Sequence, residues 1–252
     1  MSWFANWFDS KYYHLLYQHR DEAEAAAFID VLTNYLTTDL GLSPDTRLLD
    51  MACGKGRHAL HLADKGFAEV VGLDLSPQSI LAARGYERDG LRFFTQDMRR
   101  PYSSNYFDVV FNFFTSFGYF PTEKEHADTL KYVAQNLKSN GVFVLDFMNA
   151  PKVVAELVAD GEKTADGVHF TWRKKVENGF ICKKIEFVVG NETYEFEERV
   201  RGYSLSDLEF LLRESGLNIV RVFGNYQLEA YSETHSDRMI IVARKGQRWS
   251  VV

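Results

Sequence analysis

Residues 48–56, Leu-Leu-Asp-Met-Ala-Cys-Gly-Lys-Gly, constrain the fold of this chain more than any other stretch. A short apolar strand ends on an acidic residue, Asp50, and runs into a glycine turn. A helix follows at once, Arg57-His58-Ala59-Leu60-His61-Leu62-Ala63, and Gly66 stops it. A strand, a glycine turn and a helix in succession bring a ligand against bare backbone at a helix N-terminus. Gly54 and Gly56 permit that approach because they lack a Cβ. The turn spells G-x-G-x-x-A, which by itself also fits a dinucleotide fingerprint or a purely structural turn.

Three more apolar runs follow: Glu69 to Leu75, Leu91 to Phe94 and Phe107 to Phe114. Acidic residues stand at or just after three strand ends, at Asp50, Asp74 and Asp97. In an open α/β sheet such ends line one crevice. Three carboxylates there suit a cationic ligand rich in hydroxyl and amino groups. A pyrophosphate would face Asp50, although Lys55 and Arg57 could neutralise it.

In this order and spacing, Asp50-x-Ala52-Cys53-Gly54-x-Gly56, Val71-Gly72-Leu73-Asp74, Gln96-Asp97-Met98 and Phe107-Asp108-Val109-Val110 resemble the successive motifs of class I S-adenosylmethionine (SAM) methyltransferases. The resemblance covers roughly residues 45–150 and returns weakly near the C-terminus. It implies an α/β, Rossmann-like fold: a mostly parallel seven-stranded sheet with helices on both faces and an antiparallel C-terminal strand. It implies SAM as cofactor and a small molecule as methyl acceptor. By the same resemblance, Gly54 and Gly56 pass the methionine part of SAM, with Asp50 and Ala52 in the same turn. Asp74 holds the ribose hydroxyls, with Leu75 beside it. Asp97 accepts from the adenine amino group, the Met98 backbone meets the ring, and Asn112 and Phe113 sit near the methionyl ammonium. Ala52 stands where many members carry glycine. Tyr13 and Tyr17 are similar to an N-terminal segment whose tyrosines fold over SAM in some small-molecule methyltransferases. Asn112-Phe113-Phe114-Thr115 replaces the Asn/Asp-Pro-Pro-Tyr/Phe motif used for exocyclic base and glutamine amides. A carboxylate, hydroxyl or amine on a small metabolite remains as acceptor.

The 252 residues are 46% hydrophobic and 25% charged, enough for one large domain with an elaboration. A net charge of −6 leaves no basic footprint for nucleic acid. Arg173-Lys174-Lys175 falls in an alternating strand pattern and reads as a solvated face. Two scattered cysteines, Cys53 and Cys182, make neither a disulfide framework nor a zinc site, and no metal is expected. The N-terminus lacks the basic start and apolar core of a signal peptide. No uncharged apolar run reaches the roughly 18–20 residues of a membrane span. A cytoplasmic location is expected.

Residues 1–252 are therefore expected to form a single SAM-binding domain, with 1–40 as an N-terminal lid and helix and 165–203 as an antiparallel β insertion. An amphipathic helix is expected over 21–38. Ser76-Pro77 opens another, and the capping box Thr122-x-x-Glu125 begins one that continues to Gly141, before a fifth strand at 142–146. Three strand-like runs follow, His169 to Glu177, Phe180 to Val189 and Glu192 to Arg201, separated by Asn178-Gly179 and Gly190-Asn191. Their apolar positions, among them Phe170, Trp172, Ile185, Phe187 and Phe196, need cover from the main domain or a second subunit, hence a possible homodimer. Ser204 caps a last helix, and Ile219 to Phe223 and Met239 to Ala243 form a closing antiparallel pair.

Aromatic residues concentrate at 3–17 and 111–120. They read either as core or as a lid and pocket wall, since aromatic faces attract a sulfonium cation. Methyl transfer needs a general base only when the acceptor must lose a proton. His14, Tyr119 and His235 are the candidates. Two further readings stay open: an NAD-linked Rossmann oxidoreductase, and a non-catalytic SAM-binding or assembly protein that uses the insertion as an interface.

Overall fold

The computed structural model describes residues 3–17 and 22–246. Its helices are α1 (Trp3–Phe8), α2 (Lys11–Leu16), α3 (Glu22–Thr38), α4 (Arg57–Asp64), α5 (Pro77–Ala83), α6 (Glu123–Asn136), α7 (Ala150–Ala155) and α8 (Leu205–Glu214). Its main-sheet strands are β1 (Arg47–Met51), β2 (Glu69–Asp74), β3 (Leu91–Thr95), β4 (Phe107–Asn112), β5 (Leu137–Met148), β10 (Leu217–Phe223) and β11 (Arg238–Lys245). A second sheet comprises β6 (Asp160–Ala165), β7 (Val168–Glu177), β8 (Phe180–Val189) and β9 (Glu192–Arg201).

The seven main strands are ordered β10-β11-β5-β4-β1-β2-β3. β1 to β5 pair in parallel, and β11 runs antiparallel between β5 and β10. The central strands are buried on both faces, which is why they read as continuous apolar runs. Successive side chains still alternate. Leu48, Val70, Val109 and Val144 pack beneath α3, α4 and α5 with Phe28, Leu32, Leu62 and Ile80. Leu49, Val71, Val110 and Leu145 meet Leu130 and Val133 of α6 and Leu208 and Leu212 of α8 on the other face. Each such fully buried side chain contributes about 1.5–3 kcal/mol.

Helix entries follow their caps. Ser76 Oγ accepts from Ser79 N, and reciprocal capping boxes form at Thr122–Glu125 and Ser204–Asp207. The helix expected over 21–38 begins within the described residues at Glu22. The helix expected to continue to Gly141 ends instead at Asn136. The buried Asn136 side chain accepts backbone N–H groups from Tyr102 (3.0 Å) and Ser103 (2.8 Å), and Leu137 turns extended to pair with Phe107.

The insertion is larger than expected. Its sheet has four strands in the order β6-β7-β8-β9 and begins at Asp160, before the boundary at 165. α7 precedes it and was not foreseen. β6 is polar along its length, with Ala165 alone buried, so hydrophobic alternation does not reveal it. Its turn, Asp166-Gly167, has positive φ at both residues, the hairpin geometry of Asp-Gly pairs. The apolar face of this sheet is covered by α1 and α2. Trp7, Tyr12 and Leu16 pack with Phe170, Ile185 and Phe187, and Trp7 lies 4.5 Å from Phe196 between ring centroids.

Candidate active site

The carboxyl ends of the parallel strands open into a cleft, the place where open α/β sheets bind ligands. Its floor is the glycine turn. Ala52, Gly54 and Gly56 all have positive φ, at 62°, 56° and 84°. A Cβ added at Gly54 would meet nothing within 4 Å, so this residue offers bare backbone to open space. A Cβ at Gly56 would lie 2.7 Å from the Phe93 ring. Gly56 thus serves close packing of turn against strand and does not line the cleft.

Asp74 lines the cleft at the end of β2. One carboxylate oxygen accepts Gly54 N and the other Ser76 N, both at 2.8 Å. Burial nevertheless raises its pKa, against those two donors. Asp97 and Met98 also line the cleft, with Leu75 between the two acidic loops. The Asp97 carboxylate is already engaged: Arg99 donates through Nε at 3.1 Å, through its second terminal nitrogen at 2.7 Å and through its backbone at 2.9 Å. Burial opposes its ionisation, yet the Arg99 bonds and charge outweigh burial and hold the pKa below the ordinary value.

Asp50 is buried two residues before Ala52, and neither carboxylate oxygen has a hydrogen-bond partner. Burial first, then the neighbouring Asp74 carboxylate, pushes its pKa up to about 8. Asn112 Nδ2 donates to Met51 O at 3.1 Å, while its Oδ1 is buried without a partner. Neither residue is among those lining the cleft. Cys53, between them and the turn, is buried, and burial followed by Asp50 raises its thiol pKa. It fills space.

The roof is the N-terminal segment. Phe4, Phe8, Tyr13 and His14 line the cleft opposite Tyr119 and Phe120. Phe8 lies 5.1 Å from Tyr119 and Phe4 6.1 Å from Phe120. Asp9 clasps the loop after β2 by accepting from Ser76 Oγ and from Gln78 N. Burial, then Lys55, lowers the His14 pKa, so its imidazole is neutral near neutral pH.

Three sequence candidates lie elsewhere. Tyr17 donates its hydroxyl to Glu198 of β9 and accepts from Lys183 of β8, in the packing between lid and insertion. Phe113 packs in the core, stacked at 5.1 Å on Phe111, and Phe114 takes its place on the cleft wall. His235 sits in an exposed turn beside Ser232 and Thr234.

Phe114 and Thr115 adopt positive φ in succession, at 57° and 58°. Asp146, fully buried at the end of β5, accepts Phe114 N at 2.9 Å and Arg238 Nε at 2.7 Å. Thr115 Oγ1 accepts from Met148 N at 2.9 Å and from Arg238 at 3.0 Å. Sequence reasoning missed this brace. Its signal was an acid closing β5 and a base opening β11, legible only once those strands are known to be neighbours.

Residues 48–141 match the methyltransferase domain family, which supports the reading of the chain as a SAM-dependent methyltransferase. It is 28% identical over 238 residues to YqeM of Bacillus subtilis (strain 168), a protein named as a methyltransferase, covering 90% of this chain and 94% of that one. It is 35% identical over 121 residues to the dTDP-3-amino-3,4,6-trideoxy-alpha-D-glucopyranose N,N-dimethyltransferase of Streptomyces venezuelae, 48% of each chain. A SAM-dependent methyltransferase from Clostridium acetobutylicum ATCC 824 shares the fold with a TM-score of 0.79 at 22% identity, over 94% of this chain and 96% of that one. These matches favour the methyltransferase reading over the NAD-linked one. Among the described residues, no helix is long and apolar enough to cross a membrane.

Proposed function

We propose that this enzyme methylates an amine on a small molecule, with SAM lying along the glycine turn. When bound, SAM supplies a methyl group already activated on a sulfonium. The observation that carries the reading is the cleft lining: Gly54 offers bare backbone to open space, and the Asp74 and Asp97 carboxylates line the same cavity, with Asp50 buried behind the glycine turn. Buried polar atoms without partners are costly, on the order of 1–3 kcal/mol each and more for charges. In this reading a cationic ligand end such as an α-ammonium sits at the glycine turn in front of Asp50 and favours its ionised form across that turn. In this reading Gly54 and Ala52 face the methionine chain and Asp74, with Leu75, the ribose. Met98 and the Asp97–Arg99 pair border the adenine, with Asp97 offering the acceptor capacity that Arg99 leaves.

The amine acceptor is supported by the Streptomyces venezuelae relative, whose name specifies an amino sugar. Chemistry on this chain's own side agrees. An amine arrives largely as an ammonium and must lose a proton before its lone pair can attack. His14, neutral and on the cleft wall, accepts that proton, and Tyr119 orients the acceptor from the facing wall. Tyr13 and the phenylalanines exclude water. The whole chain then acts as one SAM-binding domain, with its N-terminal helices as the roof.

Calorimetric titration tests the cofactor assignment. SAM and S-adenosylhomocysteine are expected to bind and NAD is not. Asp74→Ala should weaken SAM at least tenfold, given about 1.5–3 kcal/mol per hydrogen bond to a charged group. Unchanged SAM affinity in a folded Asp74→Ala protein would remove the ribose assignment.

A further inference from the structure

No residue of the four-stranded insertion lines the cleft, yet one of its carboxylates holds both ends of the segment that roofs it. Glu198 Oε1 accepts the indole Nε1 of Trp7 at 2.7 Å. The Tyr17 hydroxyl reaches the two Glu198 oxygens at 2.7 and 2.8 Å. Lys183 donates to that same hydroxyl at 2.9 Å, and Lys163 donates to Leu16 O at 2.9 Å, where α2 ends. Trp7 is fully buried against Phe196. Between the two anchored residues lie Phe8, Tyr13 and His14, which face the cleft.

α1 and α2 are six residues each. Helices so short do not hold their shape in water without packing partners. Their partners are the insertion on one side and the cleft on the other. The insertion therefore helps set the position of the roof, alongside the Asp9 contacts to the loop after β2, and the hydrogen bonds from Trp7 and Tyr17 converge on one of its carboxylates.

We propose that Glu198 is a positioning residue: it latches the N-terminal helices over the cleft and so governs how long the bound cofactor or its demethylated product stays. The insertion is the anchor of the roof. The proposal rests on the cleft being the SAM site. A carboxylate accepting two hydrogen bonds fixes Trp7 and Tyr17 together, whereas either aromatic residue alone leaves one end of the segment free to lift. Opening the roof requires breaking both bonds, so the latch acts on release more than on capture.

Stopped-flow measurement of S-adenosylhomocysteine association and dissociation, with thermal unfolding of the ligand-free proteins alongside, tests this. Glu198→Ala is expected to speed dissociation at least tenfold, with association changed less than threefold and the main unfolding transition retained. Glu198→Gln, which keeps an acceptor oxygen, should restore much of the slow dissociation. Tyr17→Phe should speed dissociation in the wild-type background and add little in the Glu198→Ala background, because both remove one coupled contact. Glu195→Ala, on the same strand but paired outward with Lys184, should leave both rates unchanged. Dissociation within twofold of wild type in folded Glu198→Ala, or equal acceleration by Glu195→Ala, would overturn the latch while leaving the cofactor site intact. If Glu198→Ala does not fold, an unchanged dissociation rate in Tyr17→Phe overturns it. Failure of the wild-type protein to bind S-adenosylhomocysteine would overturn the cofactor assignment, and the latch with it.

Discussion

Ala52 carries a backbone cost that a glycine at this position would avoid. Its φ of 62° places a Cβ in the left-handed region, where non-glycine residues lose about 1–2 kcal/mol. Ala52→Gly relieves this strain, and the extra freedom of the unfolded glycine offsets part of the gain. The net expectation is a stabilisation of about 0.5–1 kcal/mol, read as a rise of roughly 1–4 °C in melting temperature. A fall in melting temperature would mean that the Ala52 methyl packs usefully against its surroundings. The adjacent acids show how differently three carboxylates can be held at strand ends. Asp74 is held by backbone donors and Asp97 by an arginine, while Asp50 has no partner. Sequence position brought all three to one end of the sheet. The Arg99 clamp on Asp97 was not foreseen, although the arginine stands only two residues away.

Elements with local signatures were legible, because their determinants lie within a few residues: the glycine turn, the parallel strands, and the caps at Ser76, Thr122 and Ser204. β6 was not, since a polar edge strand lacks alternation and its Asp-Gly turn lay at an assumed boundary. Nor was the partner of the insertion's apolar face. The contact between Trp7 and Glu198 spans 191 residues and no periodicity reports it. The loop after β4 depends on similarly distant elements. Its two left-handed residues persist because Asp146 and Arg238, on neighbouring strands, brace them. Arg238→Ala leaves Asp146 buried with its charge uncompensated, which costs about 3–5 kcal/mol. Denaturant unfolding is expected to show a loss of that size. A loss under about 1 kcal/mol would show that the brace is dispensable and that the loop holds its shape by packing alone.

At the scale of the molecule, the main sheet carries the cleft, the N-terminal helices line its roof, and the insertion packs against those helices. The apolar face expected to need cover from the main domain or a second subunit packs on the N-terminal helices, so the insertion is tied to the cleft through the roof. The roof brings aromatic rings and a histidine over the glycine turn, behind which Asp50 is buried. Burial, then the Asp74 carboxylate, outweighs the opposing charge of Arg57, so Asp50 stays protonated in the folded protein up to about pH 8. The unfolded chain ionises it near pH 4. The unfolded state therefore binds fewer protons between those values, and this residue's contribution to stability falls as pH rises through that window, levelling off above about 8. A bound ammonium reverses the balance, because it favours the charged carboxylate and expels the proton.

Proton release on cofactor binding tests this account most directly. SAM is titrated calorimetrically near pH 7 in buffers of different ionisation enthalpy, against wild-type protein and Asp50→Asn. The account predicts that wild type releases close to one proton more than the variant, and that the variant binds more weakly while retaining its fold. Equal proton release and equal affinity in the two proteins would contradict the placement of the cofactor's cationic end at Asp50.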